Sequence, residues 1–380
     1  MSDNELRQTV LYHQAEPQAV QQSYTEFDNV DFIINVGEGR SLLKNSVRIL
    51  GDVLITDPAS GAPLNRLTAE GVGWDRNAGA HSFIQSIQVS AQNAGLIENL
   101  QNYPRLVSMV SVASNDNLDL INSDRICELR GHIDEATDLW ARGDTTYVVA
   151  PGVAVTQDFD FSIKPLCALN AMSGDDLAQS KSGSITLTCN LARNIDAIRG
   201  GAQTAGMAYS LSNLRVTFQS VVDAPGSGRT GMRTTYNVKT NALSGTATMS
   251  ANVPAMCSGV SISFVETYQD STIGYNSYAL QRPQNITEVQ YMFNDQTNAL
   301  VSYIIDDQTE MLERFIDSLE NTGHNQVALD TFKSNQGFAL GLDFDGLVDL
   351  SKNRFTLQLQ SGVNDNPANV YMYFHSVASL

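Results

Sequence analysis

Apolar and polar residues alternate with a period of two along most of this chain, in short runs. Val30–Val36, Ser46–Ile55 and His81–Val89 carry the alternation early; Ile185–Leu191, Tyr209–Phe218, Ser258–Val265, Glu288–Phe293, Arg354–Gln360 and Val370–His375 carry it later. Such alternation puts successive side chains on opposite faces of a strand. Gly37-Glu38-Gly39 and the Pro- and Gly-bearing loop Asp57–Pro63 break the runs with turn chemistry. Residues 147–150 and 153–163 read as further strands. Helical spacing is rare. Leu96, Ile97, Leu100 and Tyr103 predict one helix, interrupted by Pro104, with Leu106, Val107, Met109 and Val110 as a second short piece. Residues 123–131 read as another helical turn. Asp306–Glu320 has Met311, Leu312, Phe315, Ile316 and Leu319 on one face and acidic residues opposite, an amphipathic helix. Many short strands with a few short helices predict an all-β protein, a sandwich or jelly roll.

One pattern occurs twice. Phe159–Leu166 leads through a polar loop into Gly183–Ala192, and Phe338–Phe344 leads through a polar loop into Arg354–Gln360. The two copies occupy corresponding places in two halves of similar size. At roughly 150 residues per domain, 380 residues accommodate both. The small-residue stretch at 200–206 is the expected boundary. This gives a first roll at 27–200 and a second at 207–380, which the strand Tyr209–Phe218 opens. Residues 1–26 are polar and Gln-rich and cannot bury a core. They read either as a disordered tail or as an arm that orders against a neighbour, with Leu6, Val10, Leu11, Tyr12 and Val20 as its apolar anchors.

Composition narrows the function. Lys+Arg number 23 against 41 Asp+Glu, a formal net charge of -18, with no basic run. Binding to a phosphate backbone needs clustered cations, so direct nucleic-acid binding is not expected, nor is binding to anionic lipid by charge. Charged residues make up only 17% of the chain, below the ordinary ~25%. A polar, weakly charged surface suits contact with other protein surfaces. Cys127, Cys167, Cys189 and Cys257 form no C-x-x-C pair and read as reduced structural thiols. The first residues lack the apolar core of a secretory signal, and no run is long enough to span a bilayer, so synthesis inside a cell is expected and the Asn285 sequon is read as chance.

Reactive constellations are missing. His13, His81, His132, His324 and His375 are scattered, without the histidine-carboxylate set of a metal cupin. Asn115–Asp119 has the start of a calcium loop, but Leu120 stands where a glycine must turn and Ile126 where a bidentate Glu must bind. Gly226, Gly228 and Gly231 match G-x-G-x-x-G, yet a strand follows rather than a helix N-terminus. Asp306, Asp307, Glu310 and Glu313 lie on the wet face of their helix. No enzyme activity, metal or cofactor is expected.

The series Phe161–Leu166, Ile185–Leu191 and Tyr209–Val216, with Gly95–Leu100 and Asn102–Leu106 earlier and Gly337–Phe344, Val348–Ser351, Phe355–Gln360 and Tyr371–His375 at the end, resembles double jelly-roll major capsid proteins. That lineage includes tailless membrane-containing phages, virophages and Polinton-like or adintovirus-like elements. The resemblance covers most of residues 30–380. It implies two tandem jelly rolls, a homotrimer forming a pseudo-hexameric capsomer, and an icosahedral shell in the virion. The implied partners are other copies, minor capsid and penton proteins, and an internal membrane as a further candidate. The alternative is a receptor- or glycan-binding β-sandwich of the spike or lectin kind. Such a module would gather aromatics and carboxylates at one loop end, whereas Trp74 and Trp140 stand alone.

Overall fold

The computed structural model describes residues 10–56, 72–75, 77–113, 127–129, 159–200, 206–222, 229–243, 246–272, 275–283, 286–297, 305–319, 337–361 and 367–380. In chain order the first half holds β1 (Leu11–Ala15), β2 (Asn29–Ile34), β3 (Arg40–Leu42), β4 (Arg48–Thr56), β5 (Val72–Gly73), β6 (Ile84–Ala91), β7 (Gly95–Gln101), α1 (Tyr103–Ala113), β8 (Phe159–Ile163), β9 (Met172–Gly174), β10 (Leu177–Ala178), β11 (Ile185–Leu191), β12 (Arg199–Gly200) and β13 (Ala208–Val222). The second half holds β14 (Thr230–Leu243), β15 (Ala247–Ala251), β16 (Met256–Glu266), β17 (Ile286–Phe293), β18 (Gln296–Thr297), α2 (Gln308–Leu319), β19 (Ala339–Asp349), β20 (Phe355–Ser361) and β21 (Ala368–Ser379).

The same wiring occurs in each half. One sheet of the first half has the order β1-β13-β4-β8, with β3 and β10 added at an end, and the other has the order β2-β11-β6-β7. In the second half the orders are β14-β21-β16-β19, with β9 added, and β15-β20-β17-β18. Counting the eight principal strands of each half in sequence, both follow 1-8-3-6 facing 2-7-4-5. This is a jelly roll twice over, and the chain is a double jelly roll. The duplicated sequence pattern falls on strands six and seven of each roll, β8 with β11 and β19 with β20.

The apolar core runs as one cluster through both rolls, with a part inside each sandwich. In β4 buried and half-buried residues alternate, with Ile49, Gly51, Val53 and Ile55 inward. They meet Val30, Phe32 and Ile34 of β2 and Leu187 and Cys189 of β11 across the sandwich. The part inside the second sandwich is aromatic: Phe355 lies 5.5 Å from Phe374 at 81° and 5.9 Å from Phe293 at 66°, edge-to-face arrangements that ring quadrupoles favour. Helix α2 lies on β19 because Gly341 leaves room. A Cβ there would come within 2.7 Å of the Ser318 Cβ and 3.0 Å of the Phe315 Cα.

Three expectations are corrected. The boundary is not at 200–206, and Tyr209–Phe218 does not open the second roll. These residues belong to β13, which pairs with β4 from Ala208↔Thr56 to Thr217↔Arg48 and is the last strand of the first roll. The flexible composition at 200–206 marks a connection within a domain, and the second roll begins at β14. Of residues 1–26, the described part from residue 10 is not merely an arm either. Leu11–Ala15 pairs in register with Val216–Ser220 as the first strand of the first roll, Pro17 bridges Phe32 and Tyr24 bridges Leu211, and Tyr24 is buried. A five-residue edge strand carries too few apolar positions to show a period. Finally, Leu96–Leu100 is not helical but lies in β7, and the helix begins at Tyr103 with Pro104 in its first turn. There the missing N–H costs nothing and the fixed φ suits the helix, so this proline starts the helix rather than breaking it. The expected strands at 147–150 and 153–158 and most of the turn at 123–131 lie outside the described residues.

Candidate assembly surfaces

Among the described residues, His, Cys, Asp and Glu nowhere form a group that could hold a metal. A void of about 10 Å³ between Val30, Ile49, Ile84 and Leu211 is apolar and about one water across. His375 Nε2 lies 2.7 Å from Ser261 Oγ, but Ser261 is fully buried and its Oγ is also 3.2 Å from that of Ser318 on α2. Burial and the Arg233 charge push the imidazole down to about 4. Among the described residues no carboxylate is placed to orient that ring. The stretch 115–119, Trp140 and the glycines at 226 and 228 lie outside the described residues; Trp74 is buried and donates to Leu129 O at 2.9 Å. One loop does gather aromatics. The exposed Tyr268 and Tyr275 stand 5.6 Å apart with rings at 89°, and Gln269 Nε2 donates to Tyr268 OH and to Glu266. Perpendicular rings make a corner rather than the flat platform on which a sugar stacks.

The densest polar chemistry lies where the two rolls meet. The edge of β14 is zipped to the first roll. β9 pairs with Thr230–Met232, Arg233 N donates to Ala171 O at 3.0 Å, and Thr235 N donates to Glu98 Oε1 at 2.8 Å. Glu98, on β7, also accepts Ala168 N on Oε2 at 2.7 Å and is 3% exposed. Burial pushes its carboxyl up to about 7, against the smaller opposite pull of the two backbone N–H groups. Beyond it, Asn102 Nδ2 donates to Asn237 Oδ1 at 2.7 Å, and Tyr373 OH donates to Asn102 O at 2.8 Å.

Helix α1 inserts Arg105 into the second roll. Its guanidinium donates to Ser277 O and to Ala279 O, lies 3.5 Å from Asp270 Oδ1, and sits 4.0 Å over the Tyr371 ring. Asp270 Oδ2 accepts Lys239 Nζ at 3.0 Å, Asn369 Nδ2 at 2.6 Å and Tyr371 OH at 2.6 Å. Burial works against the charge on Asp270, but Arg105, Tyr371 and Lys239 outweigh it and hold the carboxyl below its ordinary range. Asp75 adds a further tie, accepting Ser108 Oγ at 2.9 Å from its own roll and Asn276 Nδ2 at 2.6 Å from the other.

The consequence is an asymmetry between equivalent sheets. In the second roll, β16 is buried on both faces from Gly259 to Glu266, and β21 from Val370 to Phe374, under the first roll and α2. In the first roll the matching strands are fully buried on one face only. Arg48, Leu50, Asp52, Leu54 and Thr56 of β4 and Ser210, Ser212, Arg215, Thr217 and Gln219 of β13 are all half-buried. The outer edge of β1 borders that open face. Val10, Leu11, Tyr12 and Val20 are exposed, Tyr12 by 80%, and Leu6 lies outside the described residues. Leu11 and Tyr12 are successive residues of β1 and so point to opposite faces of the sheet, while Val20 lies in the following loop. His13 on the same strand stacks on Phe218 at 5.0 Å and 6°.

Sequence reasoning missed the junction. Glu98 and Arg105 were its signals, one charge inside the run Leu96–Leu100 and one immediately before the run Leu106–Val112. A lone charge in such a run implies a buried partner, but the partners are 70 positions away for Ala168 and more than 130 for Thr235 and Asp270.

No protein-family model matches the chain, and no curated protein gives a significant sequence match. Solved structures do. A chain of the Sputnik virophage structure is similar with a TM-score of 0.62 and 12% identity, covering 98% of this chain and 86% of the other. VP54 of PBCV-1, as fitted into a reconstruction of Sputnik, has a TM-score of 0.59 at 11% identity, over 98% and 95%. The Faustovirus major capsid protein has 0.58 at 9%, over 98% and 90%. These likenesses span both rolls and establish the fold as that of double jelly-roll major capsid proteins.

Proposed function

We propose that this chain is a viral major capsid protein, a non-enzymatic building block that trimerises into a pseudo-hexameric capsomer and tiles an icosahedral shell. One observation carries the reading. Strands β16 and β21 of the second roll are buried on both faces by the first roll and α2, while the matching strands β4 and β13 of the first roll are half-buried on one face, beside the exposed edge of β1. A second copy can cover that face with the free side of its own second roll, the side bearing β17 and β18. Repeating the step round a ring uses every such face, as heterologous contacts do when their rotation closes. Six rolls in three chains make the hexagonal outline. The double jelly-roll fold, shared along nearly the whole chain with capsid proteins, supports the same reading.

Other copies, minor capsid and penton proteins are the partners this role requires. Nucleic acid is not a direct partner, because the chain carries -18 and phosphate neutralisation needs the opposite sign; a membrane or basic proteins lie between shell and genome. Light scattering on the purified chain tests the central claim. The expected mass is three times the 41.3 kDa of one chain, stable at micromolar concentration because obligate interfaces bury roughly 2,000 Å² or more, with hexagonal particles in negative stain. A folded monomer under those conditions refutes it.

A further inference from the structure

We propose that His13 is an acid-operated latch on the first strand: neutral, it fastens β1 to β13 through Ser220, and protonation releases β1 from the sheet. The inference rests on the first roll's own geometry and stands whether or not the chain builds a shell. β1 is a five-residue edge strand that pairs with β13, from Leu11↔Ser220 to Ala15↔Val216. His13 adds the side-chain ties. Its ring stacks on Phe218 at 5.0 Å and 6°, and its Nε2 lies 2.6 Å from Ser220 Oγ. Ser220 is fully buried. Arg40, on β3, meets the same serine: Nε donates to Ser220 Oγ at 2.7 Å and Nη2 donates to Ser220 O at 3.0 Å. A guanidinium can only donate. Ser220 Oγ therefore accepts from Arg40, and among the described residues its own proton has one acceptor, the lone pair on His13 Nε2. This donor chain selects the neutral imidazole, with its proton on Nδ1.

Protonation reverses the roles. Nε2 gains an N–H and accepts no longer. Ser220 Oγ then faces two donors, and its own proton is left without a partner in a buried site, which is costly. The ring also gains a positive charge one oxygen away from the Arg40 guanidinium, and like charges repel. The other charged groups around β1 do not offset this. β13 carries Arg215, whose Nη1 donates to Asn213 O, and the buried Tyr209 at its far end. β2 carries Asp31, which accepts Thr188 Oγ1 from β11. Lys44, just after β3, donates to Gly174 O. On the first segment itself Tyr12 and Glu16 are exposed. Burial and then the Arg40 charge hold His13 below its ordinary 6.5, in agreement with the donor chain.

The sign follows from linkage. The folded value lies below the unfolded 6.5, so the released strand binds the proton more readily than the latched one. The latch is complete above pH 6.5 and is lost as pH falls from there through the folded value. Hydrogen exchange of the full chain, read by mass spectrometry and corrected for intrinsic rate, is followed from roughly pH 7.5 to pH 5, the range in which histidine titrates. Exchange in β1 is expected to quicken by about fivefold, the loss of one ordinary hydrogen bond, while β11, inside its sheet, keeps its rate. An unchanged rate in β1 overturns the proposal without any variant. His13→Gln separates the latch from other effects of acid, including the parting of neighbouring copies. Its amide oxygen accepts the Ser220 hydroxyl at every pH, so its β1 is expected to show no step. Parallel steps in the two proteins overturn the proposal, because acid then acts on β1 through another group. Should glutamine prevent folding, Ser220→Ala takes its place. It removes the shared hydroxyl and leaves β1 intact, so the step is expected to shrink, and an undiminished step overturns the latch.

Discussion

At the scale of single residues, one buried ion pair ties the two rolls together. Arg105 and Asp270 are each nearly sealed from solvent, at 3% and 6% side-chain exposure, and come from different rolls. Taking charges out of water is expensive, and only a full set of partners offsets it. Asp270 has that set in Lys239, Asn369 and Tyr371 as well as Arg105. Such a pair contributes modestly when whole and costs much when halved. Arg105→Ala is expected to lower stability by about 3 kcal/mol, toward the low end for a broken buried pair because Lys239 still faces Asp270. Arg105→Met, which keeps the packing volume, should behave no better if the charge matters. Urea midpoints of both variants check this, and a loss below about 1 kcal/mol for either would show that Lys239 and water suffice.

At the scale of elements, β1 is the piece whose role changed most. As a tail it would be dispensable for folding; as the first strand of a roll it is not. Deleting residues 1–15 uncovers the β13 edge from Val216 to Ser220 and the ring of Phe218 on which His13 stacks. The thermal midpoint is expected to fall by roughly 5 °C or more. Tyr12→Ser is the complementary change, since Tyr12 is 80% exposed and pairs through its backbone only. It should leave the melting curve in place and weaken self-association, read by sedimentation. A deletion that melts normally would return β1 to the status of an arm.

At the scale of the whole molecule, charge and surface act together. Every added copy brings another -18, so assembly must be driven by burial at faces low in net charge. The half-buried face of the first roll is low in net charge rather than in charges: beside Leu50, Leu54, Ser210, Ser212 and Thr217 it carries Arg48, Arg215 and Asp52, which sum to +1. The same acidity predicts that the purified protein does not bind duplex DNA in the micromolar range, even at low salt, where nonspecific electrostatic binding is strongest. A fluorescence titration measures it. Binding that weakens steeply with added salt would reveal a basic patch assembled from residues distant in sequence.

The alternation in Ile185–Leu191, Val370–His375 and their like determined by itself that the chain is all-β. The doubled strand-loop-strand pattern determined that it is two rolls, because period-2 burial and repetition are local properties that one strand displays alone. The amphipathic helix at 306–320 was legible for the same reason, with Met311, Phe315 and Leu319 on one stripe. Tertiary structure decided the rest. Whether Tyr209–Phe218 closes one roll or opens the next depends on its partner across the ladder, β4, more than 150 residues earlier. Whether Leu11–Ala15 is tail or strand depends on β13, and whether Leu96–Leu100 coils or extends depends on β6 beside it. The junction of Glu98, Arg105 and Asp270 exists only where two folded rolls meet, because burial and distance, which set the energy of a charge, are properties of the packed whole.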